Sequence, residues 1–137
     1  ENEDHPGALF KNYTPKATYA SKQSLLGCDS SHGEDVFATA GGVVQVWSYE
    51  DQTPLVLQEL GADTVTKVRF NPSETSILAS VCNDRSLIFY DLRGKTALQK
   101  VYLKNKSAAL CWNPQEPMNI VIVSVIIIIR VLILFLM

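Results

Sequence analysis

The sequence predicts an all-β fold, a partial β-propeller of about two four-stranded blades and the start of a third. Two observations lead to this prediction. From residue 25 onward the chain consists of short runs rich in β-branched, aliphatic and aromatic residues, with turn residues every seven to ten positions. The chain also resembles itself at a shift of 42 to 43 residues, which is the length of one propeller blade.

The nine runs are predicted to be strands, because none reaches the roughly ten residues that a helix needs. They cover residues 25–30, 36–40, 43–48, 55–60, 65–71, 77–82, 86–92, 98–103 and 108–113. Asn-Pro pairs at positions 71–72 and 113–114 end two of the runs, since proline has no amide hydrogen to donate to a sheet. The chain is thus predicted to be a series of antiparallel strands.

The internal repeat is visible in two independent pairs of segments. Residues 68–74 (VRFNPSE) line up with residues 110–116 (LCWNPQE) at a shift of 42, and residues 43–47 (VVQVW) line up with residues 86–90 (SLIFY) at a shift of 43. A period of about 40 to 45 residues with four strands per unit is typical of a propeller blade. We therefore expect Phe70 and Trp112 at the same position of neighbouring sheets.

Composition excludes several classes of function. Lys and Arg number 12, Asp and Glu number 14, and the net charge of -2 gives no overall electrostatic footprint for nucleic acid. Cys28, Cys82 and Cys111 are too few and too far apart for a disulfide framework or a zinc site, and we expect buried thiols of a reducing compartment. His5 and His32 have no partner at ligand spacing, and no motif for nucleophilic or phosphate chemistry occurs. The sequence predicts no enzyme, metal or cofactor.

Composition also divides the chain into three parts. Residues 1–24 contain Pro6, Gly7 and Pro15 and no apolar period, which predicts a flexible lead-in. Residues 25–117 are the predicted blades, and residues 118–137 form an apolar run. The repeat period is expected to stop near Asn119, because 16 of the 18 residues from 120 to 137 are apolar.

This apolar run has three interpretations. It reaches the roughly 18 residues of a membrane-spanning helix, which would make the protein a tail-anchored adaptor at a membrane. Arg130 opposes that reading, because a charge at the bilayer centre costs about 2.5 to 3.5 kcal/mol. The sequence favours an aberrant tail, from a truncated or misread coding sequence, over the membrane segment and over ordinary core strands. The four consecutive isoleucines at 126–129 also predict poor solubility.

A structural hydrogen-bond cluster is predicted within the second repeat unit, at Ser80, Asp84 and Tyr90. Asp84 lies between two predicted strands, where a carboxylate accepts hydrogen bonds from local backbone amides. Ser80 adds a hydroxyl on the neighbouring strand. The third strand, residues 87–90 (LIFY), is apolar throughout, as expected for a strand that other blades cover on both faces.

The second unit resembles a blade of the WD-repeat family at residues 84–93 (DRSLIFYDLR), with Tyr90-Asp91 in place of Trp-Asp. Residues 36–41 (VFATAG), 65–75 (VTKVRFNPSET) and 111–114 (CWNP), with the lead-in residues 13–17 (YTPKA), are similar to the SOF-domain WD-repeat proteins. The resemblance covers about residues 13 to 117. One departure is the sequence Gly61-Ala62-Asp63, which replaces the family's Gly-His pair and leaves Asp84 without its usual histidine partner.

The resemblance implies a non-enzymatic scaffold in ribosome biogenesis, located in the nucleus and nucleolus. Members of the family belong to the small-subunit processome, which processes pre-18S rRNA, so it implies processome proteins and pre-rRNA or a snoRNP as partners. As an alternative it implies a substrate receptor of a cullin-RING ubiquitin ligase, whose adaptor docks on a Tyr/Trp-Asp-x-Arg motif. Tyr90, Asp91 and Arg93 match this motif, and Arg93 occupies the docking position.

A cluster of three lysines gives a local candidate for RNA contact. Lys100, Lys104 and Lys106 lie on the outer strand of the second unit and in the following loop, where they could meet RNA phosphates. Lysines on an edge strand more commonly prevent pairing between sheets. Both explanations remain open at the level of sequence.

Overall fold

The computed structural model describes residues 14–57, 63–124 and 130–135. These residues contain eleven strands and no helix. The strands are β1 (Gly27–Ser30), β2 (Val36–Ala40), β3 (Val44–Ser48), β4 (Leu55–Leu57), β5 (Val65–Phe70), β6 (Ile77–Cys82), β7 (Ser86–Asp91), β8 (Thr96–Tyr102), β9 (Ser107–Trp112), β10 (Asn119–Ser124) and β11 (Arg130–Phe135). The all-β prediction is confirmed, and β8 begins two residues before the predicted position 98.

Three antiparallel sheets follow one another along the chain. The first sheet has the order β1-β2-β3-β4, the second β5-β6-β7-β8 and the third β9-β10-β11. Strand β1 contacts β5, and β5 contacts β9, so the first strand of each sheet lies beside the first strand of the next. This arrangement is that of propeller blades around a common axis.

The sequence repeat is also a structural repeat. Phe70 is the last residue of β5 and pairs with Leu78 of β6. Trp112 is the last residue of β9 and pairs with Ile120 of β10. Both positions are shifted by the predicted 42 residues, which confirms that Phe70 and Trp112 occupy the same place in neighbouring blades.

Two apolar cores lie between the three sheets. The core between the first and second sheets contains Ala38, Val44, Val46, Val68, Leu78, Ile88 and Tyr90, among others. The core between the second and third sheets contains Ala79, Val81, Leu87, Phe89, Leu110, Trp112, Ile120 and Ile122. The second sheet therefore buries both faces, each against a different neighbour, and stability is shared between adjacent units.

Hydrogen bonds also join the sheets. The Phe70 amide donates to the Asp29 carboxylate at 2.8 Å, which links the second sheet to the first. The Trp112 indole donates to the Arg69 carbonyl at 3.1 Å, which links the third sheet to the second. A Cβ added at Gly27 would lie 2.9 Å from the Thr66 carbonyl oxygen. This position of β1 therefore needs a residue without a side chain.

Residues 14–24 form neither strand nor helix, but they are fixed to the first sheet. The Tyr19 hydroxyl donates to the Tyr49 carbonyl at 2.6 Å, and the Tyr19 ring lies 5.8 Å from the ring of Trp47. Gln23 both donates to the Val43 carbonyl and accepts from the Val43 amide, at 3.1 and 2.8 Å. Single side chains of this stretch thus reach distant strands, which composition does not reveal.

The repeat period continues past Asn119, contrary to expectation. Strand β10 begins 42 residues after β6, and it pairs with β9 on one side and β11 on the other. Ile120 and Ile122 are fully buried. Strand β10 matches the core-strand interpretation, since Ile120 and Ile122 lie in the second core. The isoleucines at 126–129 lie outside the described residues.

Residues 14–57, 63–124 and 130–135 contain no helical segment that could span a lipid bilayer. Of the three cysteines, Cys82 is buried and the other two, Cys28 and Cys111, are exposed. The expectation of three buried thiols is therefore wrong for two of them. Cys111 lies between Leu110 and Trp112, whose side chains enter the second core, so it points to the opposite, uncovered face of its sheet.

Candidate protein-docking motif and basic loop

The Tyr90-to-Arg93 motif spans the end of β7 and the turn that follows it. Tyr90 is buried in the core between the first and second sheets. The Asp91 carboxylate accepts hydrogen bonds from the backbone amide of Arg93 at 3.0 Å and from its Nε at 3.2 Å. The Leu92 amide donates to the Ser76 carbonyl at 2.9 Å, which anchors the turn to the loop before β6. The motif thus has a buried aromatic base and a fixed, polar tip.

Arg93 is held by Asp91 but remains accessible. Its side chain is 71% exposed, whereas that of Asp91 is 20% exposed. The hydrogen bond from the Arg93 side chain lowers the pKa of Asp91, and the same bond raises the pKa of Arg93. Both groups are therefore charged at neutral pH. An arginine oriented in this way presents its remaining N–H donors to an acceptor on another molecule.

An apolar groove of about 420 Å³ adjoins Arg93. Leu98 of β8 and Met118, just before β10, contribute large exposed side chains to it. The Asn71 side-chain amide donates to the Pro117 carbonyl at 2.7 Å and joins the two loops beneath the groove. Sequence reasoning missed Leu98 and Met118, because no sequence pattern predicts that the outer strand of one unit lies next to the turn of the following unit.

The predicted hydrogen-bond cluster is only partly formed. The Asp84 carboxylate accepts from the Ser86 amide at 3.0 Å and from the Ser86 hydroxyl at 2.5 Å. Burial alone would raise the pKa of Asp84, but the Ser86 hydrogen bonds and the nearby Lys100 charge leave it lowered. Ser80 does not take part in the predicted cluster, since its buried hydroxyl has no hydrogen-bond partner. Sequence reasoning missed Ser86, which lies two residues after Asp84 and serves in place of Ser80.

The three lysines have different environments. Lys104 and Lys106 are exposed in the loop after β8, whereas Lys100 is half-buried. The Lys100 ammonium lies 5.3 Å from the centre of the Tyr102 ring. Arg85, which sequence reasoning missed, donates to the Lys104 carbonyl at 3.4 Å. The loop formed by Lys104 and Lys106 with Arg85 beside it, here called the basic loop, is therefore the exposed positive surface at this end of the second sheet.

The described ranges contain no candidate metal-binding site. Within them, no group of three or more His, Cys, Asp or Glu side chains is arranged to hold a metal ion. His32 is exposed in the turn before β2, and His5 lies outside the described residues. The candidate sites are therefore the Tyr90-to-Arg93 motif and the basic loop.

The sequence has relatives over about three quarters of the chain. It is 45% identical over 106 residues to Protein sof1 of Schizosaccharomyces pombe, covering 77% of this chain and 24% of the relative. It is 41% identical over 102 residues to DDB1- and CUL4-associated factor 13 of Xenopus laevis, covering 74% and 23%. With the human protein of that name the identity is 38% over 98 residues, covering 72% and 22%. The chain spans about a quarter of the length of these curated relatives.

Solved structures with the same fold are propellers. A chain in the crystal structure of the mitotic checkpoint complex matches with a TM-score of 0.68 at 18% identity, covering 77% of this chain and 33% of that one. The WD40 domain of Toxoplasma gondii coronin matches with a TM-score of 0.66 at 20% identity, covering 74% and 29%. At these identities the likeness bears on the fold alone.

No protein-family model matches the sequence. The family assignment rests on the sequence relatives, on the 42-residue structural repeat and on the WD40 fold of the solved structures. These findings agree with the motifs at residues 36–41, 65–75 and 111–114. The chain belongs to the SOF-domain WD-repeat family, that of Sof1 and DDB1- and CUL4-associated factor 13.

Proposed function

We propose that the protein is a non-enzymatic WD-repeat scaffold in ribosome biogenesis that acts in pre-18S rRNA processing within the small-subunit processome. The observation that carries the proposal is the 45% identity to Protein sof1 over 106 residues, together with the role that the family resemblance implies. The nucleolus is the proposed location. Processome proteins, and through them pre-rRNA, are the proposed partners.

The polar turn residues support a scaffold rather than an enzyme. Asn71 accepts the amides of Ser73 and Glu74, each at 2.9 Å. Asp84 and Asp91 likewise accept amides two residues further along the chain. These side chains are occupied in shaping turns, and such turns present binding surfaces at the ends of the blades.

Sedimentation tests the primary proposal. The tagged full chain, expressed in cells, should co-sediment with pre-ribosomal particles and accumulate in the nucleolus. Treatment with RNase before sedimentation should shift it to light fractions, because the particles depend on intact RNA. A chain that stays in light fractions without RNase, outside the nucleolus, would contradict the proposal.

For RNA contact we propose the basic loop as the surface, with Lys104 and Lys106 on phosphates. Both are exposed, and phosphate contacts by lysine make binding depend on salt. Replacing both by glutamine should lower the slope of log K against log salt by about 1 to 2, since each phosphate contact contributes roughly 0.7 to 0.9. The double variant Lys16→Gln/Lys22→Gln has the same net charge and should keep the slope. Equal slopes in all three proteins would contradict this assignment.

A second candidate function is a substrate receptor of a cullin-RING ubiquitin ligase. Two observations favour it. Relatives of this chain are named for association with DDB1 and CUL4, and the exposed Arg93 is held in position by Asp91 at the tip of the matching motif. An arginine that has unused N–H donors and lies beside an apolar groove is well placed to insert into the surface of an adaptor protein.

Pull-down with purified DDB1 tests this second function. Arg93→Ala should reduce DDB1 binding at least about tenfold, as for an arginine at the centre of an interface. Arg85→Ala is the matched control, since it removes an exposed arginine from the turn at the other end of β7. If Arg93→Ala binds DDB1 as well as the parent chain does, the receptor function is wrong, whereas the processome proposal is unaffected.

A further inference from the structure

A second concave surface lies far along the chain from the Arg93 motif, between the lead-in and the first sheet. This lead-in pocket has a volume of about 650 Å³ and is lined by residues 15–17, Tyr19, Asp35, Tyr49 and Glu50. That volume falls in the range of pockets that bind small molecules or single side chains. None of its lining residues takes part in the functions proposed above.

Hydrogen bonds hold the walls of the lead-in pocket in place. Asp35 precedes β2 and Tyr49 follows β3, and the Tyr49 amide donates to the Asp35 carbonyl at 3.1 Å. The Tyr19 hydroxyl donates to the Tyr49 carbonyl at 2.6 Å. The lead-in and both ends of this hairpin are thus connected at one point, which makes the pocket a preformed feature of the fold.

One wall of the pocket is aromatic. The ring of Tyr49 is 5.3 Å from that of Phe37, and the ring of Tyr19 is 5.1 Å from the same Phe37. Tyr49 is 48% exposed, so part of its ring is available to a ligand. The face of an aromatic ring attracts cations, and arginine stacks on such faces more often than lysine does.

The rim of the pocket is negatively charged. Asp35 and Glu50 line it and are both exposed, and Lys16 is the opposing charge on the lead-in. Across residues 14–57, 63–124 and 130–135, neither carboxylate has an ion-pair partner. Two carboxylates beside a tyrosine ring are complementary to a guanidinium, which can stack on the ring while it donates to carboxylate oxygens.

We infer that the lead-in pocket binds an arginine side chain from a basic segment of a partner protein. The geometry that carries this inference is the half-exposed Tyr49 ring and the carboxylates of Asp35 and Glu50 lining one pocket. The inference goes beyond the proposed functions and does not depend on which assembly the protein joins. Negative charge at the rim makes an RNA phosphate an unsuitable occupant.

Two peptides test the inference with the full chain. The probe is the pentapeptide acetyl-Gly-Gly-Arg-Gly-Gly-amide, and its partner carries citrulline, which has nearly the shape of arginine but no charge. Calorimetric titration should give saturable binding of the arginine peptide, and binding of the citrulline peptide should be at least about fivefold weaker, as the loss of a cation–π contact and a charged hydrogen bond requires. Equal binding of both peptides, or no saturable binding of either, would overturn the inference.

Three variants locate the binding. Glu50→Gln should weaken binding of the arginine peptide about threefold to fivefold, and Tyr49→Leu, which keeps an apolar side chain without a π face, should have a similar effect. Glu74→Gln is the matched control, because it removes one exposed carboxylate from a different loop and should change binding less than about 1.5-fold. Equal weakening by Glu74→Gln would show that the peptide responds to net charge alone, which also overturns the inference.

Discussion

The first two sheets present equivalent faces that are covered in different ways. Trp47 of β3 and Tyr90 of β7 occupy equivalent positions, 43 residues apart, and each is 2% exposed. Tyr90 is covered by the first sheet. Trp47 is covered by Tyr19 from the lead-in and by Phe37 of its own sheet. A short segment without regular structure can therefore cover a blade face if it supplies an aromatic ring and a few hydrogen bonds.

The same two faces also differ in how buried polar groups are satisfied. In the first sheet the Trp47 indole donates to the Thr39 hydroxyl at 3.0 Å. Ser80 takes the place of Thr39 in the second sheet, because the pairs Phe37–Trp47 and Leu78–Tyr90 have the same register. Its hydroxyl has no partner. The Trp-to-Tyr change in the second unit thus coincides with the loss of a hydrogen bond across the sheet.

The largest expected loss of stability comes from a substitution on the face of the second sheet that the first sheet covers. Leu78→Ala should lower the free energy of unfolding by about 2 to 5 kcal/mol, because Leu78 is fully buried and its loss leaves a cavity between two sheets. Urea unfolding followed by tryptophan fluorescence measures this. Leu98→Ala, at a 56% exposed leucine on β8, should cost less than about 0.5 kcal/mol. Similar losses in the two variants would show that the first core does not stabilise the fold.

The next largest effect on stability distinguishes the two buried hydroxyl residues, Thr39 and Ser80. Thr39→Val should destabilise the protein by about 1 to 3 kcal/mol, since it leaves the buried Trp47 indole without an acceptor. Ser80→Ala should be neutral or stabilising, because it removes a buried hydroxyl that has no partner. The two variants are compared in the same urea titration. Destabilisation by Ser80→Ala as large as that by Thr39→Val would contradict the difference between the sheets.

A smaller effect tests the cover provided by the lead-in. Tyr19→Ala should cost about 1 to 2 kcal/mol, because it removes two ring contacts and the hydrogen bond to Tyr49. Thr18→Ala, at the exposed neighbouring residue, is the control and should change the unfolding free energy by less than about 0.5 kcal/mol. If Tyr19→Ala behaves like the control, the lead-in does not contribute to the stability of the first sheet.

The smallest expected effect is a change in the pH dependence of the free energy of unfolding. The pKa of Asp84 is lowered in the folded protein, so the folded state favours the ionised carboxylate relative to the unfolded state. Its contribution to stability is therefore present above the unfolded pKa of about 3.9 and is lost as the pH falls through the lower folded value. Asp84→Asn should remove this part of the acid dependence, and unfolding curves between pH 6 and 3 measure the difference in slope. The same slope in both proteins would show that the turn does not favour the charged form.

Sequence reasoning predicted the parts of the fold that repeat. The matching segments around Phe70 and Trp112 placed both residues correctly, because equivalent positions in neighbouring blades meet the same packing requirements. Composition alone could not assign the apolar run, since strands of a protein core and a membrane segment are both rich in apolar residues. Ile120 and Ile122 fill a core that only the folded second sheet reveals.

The candidate site was predictable only in part. The Tyr90-to-Arg93 motif was found from local spacing, and the ion pair between Asp91 and Arg93 connects residues two positions apart. Arg85 beside Lys104, and Leu98 beside Met118, are brought together by the pairing of strands and the packing of blades. Tyr19 acts through contacts 18 to 30 residues away, and isolated contacts of this kind have no periodic signal in a sequence.

The side chain of Asn71 holds the turn of its own unit and the corresponding turn of the next unit at the same time. Its side-chain Oδ1 accepts hydrogen bonds from the backbone amides of Ser73 and Glu74, while its side-chain Nδ2 donates to the Pro117 carbonyl of the following unit. A residue inserted between positions 71 and 76 would displace the oxygen's partners and, with them, the support of the neighbouring loop. We expect the length of this turn to vary little among homologous proteins, and evolutionary insertions to occur instead in connections that serve a single blade.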